Sequence, residues 1–199
     1  MMNKQNSNLK SPREVSIRIW KNIFYGKKKF NYELDNNIYL QSLTQRDKSF
    51  VYYLISLCLR KNKQIKKIFS KYLKKEIKKD SQYLSSILML GTAEILWLRT
   101  PDYAILHEYV ELTKKLIGKH FSGFINAIFR KVLQNKEHEI KLSENMSVNI
   151  PKYMHTQWIK SYGKNTVNNI VNSIMNEPYL DIICSKKTKI KQKESLSLI

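Results

Sequence analysis

The sequence predicts an all-α protein. Only 5 glycines and 4 prolines occur in 199 residues, too few for a fold rich in turns. Apolar residues recur at spacings of three and four in several segments, as one face of a helix requires. Helix start signals precede most of those segments. The length suits one domain of usual size with a tail, or two small domains, and a hydrophobic share of 42% is enough for a core.

The first helix is predicted to begin at Ser11, which suits the N-cap, with Pro12 at the first helical position and Glu14 completing a capping box. At about 100° per residue, its core side contains Val15, Ile19, Trp20, Ile23 and Phe24. Arg18 and Lys21 fall on the opposite side. The polar stretch 25–42 then predicts a loop.

A second helix is predicted from Thr44, and it becomes strongly apolar between Phe50 and Ile55. The next segment, 60–79, has ten basic residues and one acidic residue. Its apolar residues nevertheless follow helical spacing, so it predicts a basic amphipathic helix. Two interpretations stay open for its lysines: a solvated face over a core stripe, or direct contact with a polyanion.

A fourth helix is predicted from Gln82 to Leu98, capped by Asp80 or Ser81, and it is apolar nearly all round, as a central buried helix would be. The start signal at 100–102 predicts a fifth helix that ends near Gly118. A sixth helix is predicted over 123–134, a polar break over 135–149, and one or two further helical stretches over 152–161 and 164–176. The tail 181–199 begins like a short strand.

The charge of the chain points to a polyanionic partner. The net charge is +20, from 36 basic and 16 acidic residues, and 20 of the basic residues precede residue 81. Such a field attracts nucleic acid above all. The first ten residues form no secretory signal, and the longest apolar stretch, 83–98, contains Glu94 and is too short for a membrane span. We therefore expect a cytoplasmic protein with no membrane partner.

The stretch "HEYVE", residues 107–111, resembles a zinc-protease signature with its last histidine replaced by glutamate. On a helical wheel His107, Glu108 and Glu111 lie opposite the apolar arc, and Glu111 precedes Lys114 and Lys115 by three and four residues. This arrangement favours a solvated face with charge pairing. A zinc site would need a third ligand, which the sequence does not supply.

Catalytic and cofactor motifs are absent from the sequence. The five glycines form no phosphate-binding loop, and the two cysteines, Cys58 and Cys184, have no metal-ligand spacing. Cys58 sits in an apolar helix, where a small core residue is expected. We expect no cofactor and no metal.

Three segments, in the right order over about 90 residues, resemble the NusB-like RNA-binding domains. They are "LTQRDKSFVYYLISLCLR" at 43–60, "LMLGTAEILWLRTPDYAILHEYVELTKK" at 88–115 and "GFINAIFRKVL" at 123–133. The opening helix, "SPREVSIRIWKNIF", also matches. The resemblance covers roughly residues 11–135 and implies a NusB-like helical bundle, here with a short helical C-terminal extension.

Two branches of this family are alternatives. In one, a free-standing antitermination factor acts with a ribosomal protein partner. In the other, that of RsmB-type small-subunit rRNA (cytosine-5)-methyltransferases, the NusB-like domain leads into a catalytic domain. The continuation at 150–187 resembles the methyltransferase linker, with Trp158, Tyr162-Gly163 and Glu177-Pro178. The Gly-rich loop and cysteine pairs of the catalytic part are missing, so the resemblance implies a noncatalytic protein.

The resemblance assigns RNA contact to the basic first helix and to the loop ahead of the "GFIN" helix. The matching positions are Arg13, Arg18, Lys21, Lys119 and His120. Lys27, Lys28 and Lys29 are added on charge alone. Arginine and lysine neutralise phosphates, and His120 or a nearby aromatic ring stacks on an unpaired base. For each position, a solvated surface residue is the alternative.

The expected organisation is a disordered N-terminus at 1–10, the NusB-like domain at 11–140, a helical linker at 141–180 and a truncated start of a further domain, or a tail, at 181–199. The leading hypothesis is a noncatalytic domain that binds single-stranded or looped rRNA, with a separate catalytic chain as a further partner. The antitermination alternative predicts leader RNA and a ribosomal protein instead. A third hypothesis is a protein-interaction module whose lysines reflect composition alone.

Overall fold

The computed structural model describes residues 10–78, 80–142 and 146–177, and within these ranges the chain forms eleven α-helices and no strand. The all-α prediction is confirmed. The helices are α1 Pro12–Phe24, α2 Phe30–Asn36, α3 Ile38–Gln41, α4 Gln45–Arg60, α5 Asn62–Ser70, α6 Gln82–Trp97, α7 Asp102–Leu116, α8 Ser122–Gln134, α9 Lys136–Leu142, α10 Lys152–Tyr162 and α11 Lys164–Met175. Short 3-10 helices lie at Lys119–Phe121 and Met146–Asn149.

Helix α6 is the centre of the main bundle, as its apolar sequence predicted. It packs against α1, α4, α5, α7, α8 and α9, and it is buried continuously from Ser86 to Leu96. Gly91 permits the approach of α8, because a Cβ at this position would overlap the ring of Phe129. A helix surrounded by neighbours must be apolar all round. This explains why its sequence shows no polar face.

Helix α1 begins as the sequence predicted, with one difference. The Ser11 hydroxyl accepts a hydrogen bond from the Glu14 backbone N–H at 3.2 Å, and Pro12 occupies the first helical position. The Glu14 carboxylate does not close the capping box, because it binds Arg18 and Lys115 instead. On the predicted core side, Phe24 is 48% exposed.

Three predictions of irregular or helical structure are wrong. The predicted loop 25–42 contains α2 and α3, whose Leu34 and Leu40 are buried in the main core. The helix predicted over 60–79 ends at Ser70. The predicted break 135–149 contains α9. For the loop and the break, the missed helices are held by buried contacts that periodicity does not reveal.

The contacts of Glu139 illustrate that cause. Glu139 of α9 is buried, and it accepts hydrogen bonds from the Lys71 ammonium at 2.6 Å and the Tyr72 hydroxyl at 2.9 Å. Burial and the hydrogen bond to Glu139 raise the pKa of Tyr72 to about 12. These bonds tie the chain just after α5 to a helix that the sequence presented as polar.

The C-terminal extension has a small core of its own. Its buried residues are Ile150, Val167, Val171 and Met175. Helices α10 and α11 confirm the helical structure predicted there and show that it is two helices. Gly163, with φ of 77°, separates them in the left-handed region that favours glycine.

This extension is fastened to α5. Gln64 and Asn149 exchange two hydrogen bonds of 3.1 Å, from the Gln64 N–H to Asn149 Oδ1 and from Asn149 Nδ2 to Gln64 Oε1. Arg60 also donates to the Asn176 carbonyl at 3.2 Å. The predicted domain limits stay predictions. Residues 1–9 and the segment 181–199, with its predicted strand, lie outside the described residues.

Candidate nucleic-acid interface

A cleft of about 470 Å³ opens where the second half of α1 meets the start of α6 and the turn after α7. It is lined by Lys21, Asp80, Ser81, Gln82, Tyr83, Leu84, Ile117 and Phe121. Gly118 ends α7 with φ of 113°, a conformation that favours glycine, and the chain then turns through the 3-10 helix Lys119–Phe121. The two segments predicted to bind RNA therefore meet at one cleft.

The lining of this cleft combines the cation Lys21 with two aromatic rings, Tyr83 and Phe121. The Lys21 ammonium lies 5.1 Å from the centroid of the Tyr83 ring, and Arg18 Nη1 donates to the Tyr83 hydroxyl at 3.3 Å. On the other side, the exposed His120 ring lies 4.2 Å from the Phe121 ring. Asp80 is the acidic member of the lining. Positive charge beside aromatic faces is the chemistry that holds unpaired nucleotides.

Arg13 is placed in a different environment. Its guanidinium donates to both carboxylate oxygens of Glu94, at 3.0 Å from Nε and 2.5 Å from Nη2, and the Tyr109 hydroxyl donates to the same carboxylate at 3.1 Å. Burial lowers the pKa of Arg13, but its hydrogen bonds and charge attraction to Glu94 outweigh this and raise it. Glu94 is fully buried. In this structure Arg13 therefore joins α1 to α6 and α7, and its contact with RNA stays a prediction.

Arg18 belongs to a second charged network. Glu14, which is 1% exposed, accepts from Arg18 at 2.9 Å through one oxygen and from Lys115 of α7 at 2.6 Å through the other. Burial acts to raise the pKa of Glu14, while the hydrogen bonds from Lys115 and Arg18 lower it below its ordinary value. Because one acid balances two bases, this network keeps a net positive charge beside the cleft.

The three lysines at 27–29 lie in the turn after α1, where all three are exposed. Lys28 is paired with Glu33 at 2.8 Å, and this hydrogen bond raises the pKa of Lys28. Lys27 adopts a φ of 54°, which is unusual for a residue with a side chain. The structure gives Lys27 and Lys29 no ion pair among the described residues.

The sequence predictions did not single out Tyr83 and Phe121. Tyr83 lies in the first turn of α6, where the apolar run concealed its half-exposed position. Phe121 follows His120, which was predicted to bind RNA. The sequence signal that could have identified Phe121 is therefore this pair of rings next to Lys119. Both rings line the cleft.

The "HEYVE" stretch takes the charge-pairing arrangement on α7. Glu111 accepts from Lys114 at 2.5 Å, as the spacing predicted, whereas Lys115 pairs with Glu14. His107 is exposed. Within the described ranges, no three histidine, cysteine or carboxylate side chains cluster as metal ligands would.

Cys58, the other candidate weighed for chemistry, lies in the core. It is fully buried in α4, and burial, reinforced by the nearby Glu94, raises the pKa of its thiol well above the ordinary value. A thiol of this kind is a packing group. None of the helices in the described part of the chain combines the length and the apolarity that a bilayer span requires.

The NusB family profile matches residues 10–134, which contain α1 to α8 and the whole cleft. The chain belongs to the NusB family.

Curated relatives of this NusB-family chain include proteins named ribosomal RNA small subunit methyltransferase B. The one from Proteus mirabilis is 25% identical over 135 residues, covering 68% of this chain and 31% of that protein. The one from Vibrio vulnificus is 28% identical over 121 residues, covering 60% of this chain and 28% of that protein. The one from Photorhabdus laumondii is 27% identical over 119 residues. The matched segment thus spans under a third of these relatives' length.

Proposed function

We propose that this NusB-family chain binds rRNA at an unpaired segment, and that the cleft between α1 and the turn 118–121 is the contact surface. The observation that carries the proposal is the cleft itself. It joins Lys21 to two aromatic rings, Tyr83 and Phe121, and the exposed Lys119 and His120 adjoin it. Lysines neutralise phosphates while the rings stack on bases. The Arg18 network adds positive charge at the rim.

The relatives are the reason for proposing that the bound RNA is ribosomal. Their names state an action on small-subunit ribosomal RNA, and the matched part is the NusB region. The sequence of the extension also supports this lineage, because it carries Trp158 and Gly163 of the linker resemblance. The antitermination alternative, with leader RNA and a ribosomal protein, has no comparable support.

The proposed role is binding rather than methyl transfer by the described residues. Cys58 is buried, and Cys184 lies outside the described ranges. We propose a separate catalytic chain as its partner. Its capture by the tagged protein from a cytoplasmic extract tests that part of the proposal, and capture of a ribosomal protein instead would favour antitermination.

RNA binding is tested with a fluorescent rRNA loop fragment by anisotropy. The double variant Lys21→Gln/Lys119→Gln should reduce the slope of log affinity against log salt by about 1.4, which is about 0.7 for each phosphate contact to a single strand. Phe121→Leu should weaken binding by about 1–3 kcal/mol if the ring stacks on one base.

The matched control is Lys160→Gln/Lys164→Gln, which removes the same charge from exposed positions of the extension. The control should leave most of the affinity and the slope intact. If both double variants lost the same RNA affinity, the RNA would be attracted by the overall charge of the protein. The cleft would then not be the binding site.

A further inference from the structure

The basic helix α5 has an exposed face that the cleft does not use. Gln64, Ile65, Ile68 and Phe69 of this helix are buried, so its opposite side faces solvent. That side contains Lys63, Lys66 and Lys67, which fall within about 100° of one another at helical spacing. The sequence left two interpretations open for these lysines. The structure shows that they form one continuous face.

The positive charge continues beyond the helix. Lys74, Lys75 and Lys78 are all exposed, and Glu76 is the acidic residue among them. We call Lys63, Lys66, Lys67, Lys74, Lys75 and Lys78 the α5 surface.

Most of these lysines have no counter-ion. Elsewhere, Lys28, Lys114 and Lys115 each pair with a glutamate. In the described part of the chain, Lys66, Lys67, Lys74 and Lys75 form no salt bridge. Like charges at helical spacing repel one another and destabilise a helix. Ion pairs within the described residues therefore do not account for the α5 surface, and a polyanion is the kind of ligand that such a surface attracts.

The α5 surface is separate from the cleft but connected to it along the chain. Helix α5 packs against α4, α6, α8 and the 3-10 helix Met146–Asn149, while α1 packs against α2, α4, α6 and α7. The segment after α5 leads to Asp80, where the lining of the cleft begins. The two surfaces are therefore neighbours along the sequence.

The chemistry of the two surfaces differs. The cleft has aromatic rings, but the exposed face of α5 consists of lysines and Ser70. It therefore has no ring on which a base stacks. Lysine ammonium groups act as point charges on phosphates and do not read base sequence.

We propose that the α5 surface binds the phosphate backbone of an RNA stem that adjoins the unpaired segment held in the cleft. This inference rests on the proposed function, because it takes the same RNA as the ligand. It adds a second, sequence-independent contact on a different helix.

The test uses the full chain and two RNAs: an rRNA hairpin with its stem, and the same loop without the stem. The variant is Lys66→Gln/Lys67→Gln/Lys74→Gln, and Lys63 is spared because its ammonium donates to the Ile150 carbonyl. With the hairpin, the salt slope should fall by about 2.7, which is about 0.9 for each phosphate contact to a duplex. Because the wild-type affinity then falls more steeply with salt, raising the salt from 50 to 200 mM should lower the ratio of wild-type to variant affinity about 40-fold. With the stemless loop, the slope should not change.

The control variant Arg46→Gln/Lys160→Gln/Lys164→Gln removes the same charge from exposed positions outside the α5 surface. The inference would be overturned if the α5 variant behaved like this control, or if it lost the same affinity for both RNAs. The inference would also be overturned if the α5 variant kept the salt slope of the wild type with the hairpin but no longer bound polyglutamate. That result would show that the α5 surface binds an acidic protein.

The outcomes for the two proposals are distinguishable. If Lys21→Gln/Lys119→Gln weakens binding while the α5 variant does not, binding at the cleft is supported and binding at the α5 surface is refuted. If the α5 variant loses hairpin affinity and the cleft variant does not, binding at the α5 surface is supported and binding at the cleft is refuted. Absence of binding by the wild type to either RNA would overturn both.

Discussion

Replacing Arg13 by methionine tests whether this arginine stabilises the fold or contacts RNA. The side chain of Glu94 is 0% exposed, and three of its hydrogen bonds come from Arg13 and Tyr109. In Arg13→Met, only the Tyr109 hydroxyl of these donors remains. The buried carboxylate then lacks its counter-ion, and we expect a clear loss of stability.

The size of the loss follows from the geometry. Breaking a buried ion pair by removing one partner destabilises a protein by about 3–5 kcal/mol. The Arg13 side chain is 17% exposed, so water reaches the site and the lower end, about 3 kcal/mol, applies. In a protein of this length 1 kcal/mol shifts Tm by about 2–4 °C, so Tm should fall by about 6–12 °C.

The assay is urea unfolding followed by circular dichroism, with an unchanged m value as the check that only stability changed. Arg46→Met is the matched control, because Arg46 is exposed on α4 and its loss should alter stability by less than about 0.5 kcal/mol. The double variant Arg13→Met/Glu94→Gln should recover much of the lost stability. It removes the buried charge and leaves an amide oxygen that accepts the hydrogen bond from the Tyr109 hydroxyl.

RNA affinity of folded Arg13→Met should match that of the wild type. A loss of stability below about 1 kcal/mol, together with weakened RNA binding, would refute the reasoning. Arg13 would then be an RNA contact, as the family resemblance implied.

Further predictions concern the second charged network and the central helix. The lowered pKa of Glu14 contributes stability that is fully present above its ordinary value of 4.5 and is lost as pH falls through the lower folded value. Urea unfolding of Glu14→Gln between pH 6 and 3 should therefore show a weaker pH dependence than the wild type; an equally steep dependence would exclude this role. Gly91→Ala should destabilise by about 1–3 kcal/mol because the new methyl group overlaps Phe129. Gly123→Ala, where a Cβ has nothing within 4 Å, should stabilise α8 by about 0.5–1 kcal/mol, and thermal unfolding of both variants compares them directly. Equal effects of the two alanines would contradict the packing argument.

Much of the fold was predictable because it depends on local rules. Ser11 and Pro12 start α1, Thr44 caps α4 through a hydrogen bond from the Asp47 N–H at 3.2 Å, and Gly118 ends α7. Each of these signals acts within a few residues. At the start of α7 the signal was displaced by one position, because Pro101 occupies the N-cap and no side chain caps the helix.

The short helices were missed for a physical reason. Helices α2, α3 and α9 have seven, four and seven residues, so each is too short to be stable through propensity alone. Leu34, Leu40 and Glu139 are buried in the assembled bundle, and this burial holds the helices. Their sequence outside that context is polar and appears irregular.

For the candidate site, the sequence determined which cations are present and, through the family pattern, which two segments contain them. Tertiary structure alone decided which of these cations pair with buried glutamates. Arg13 meets Glu94 across 81 positions of the sequence, and Lys115 meets Glu14 across 101 positions. A local pattern has no information about such pairs, because charge partners depend on how helices pack. The sequence thus determined the helical fold and its basic character, and the packing of α1, α6 and α7 decided which bases hold the fold and which line the cleft.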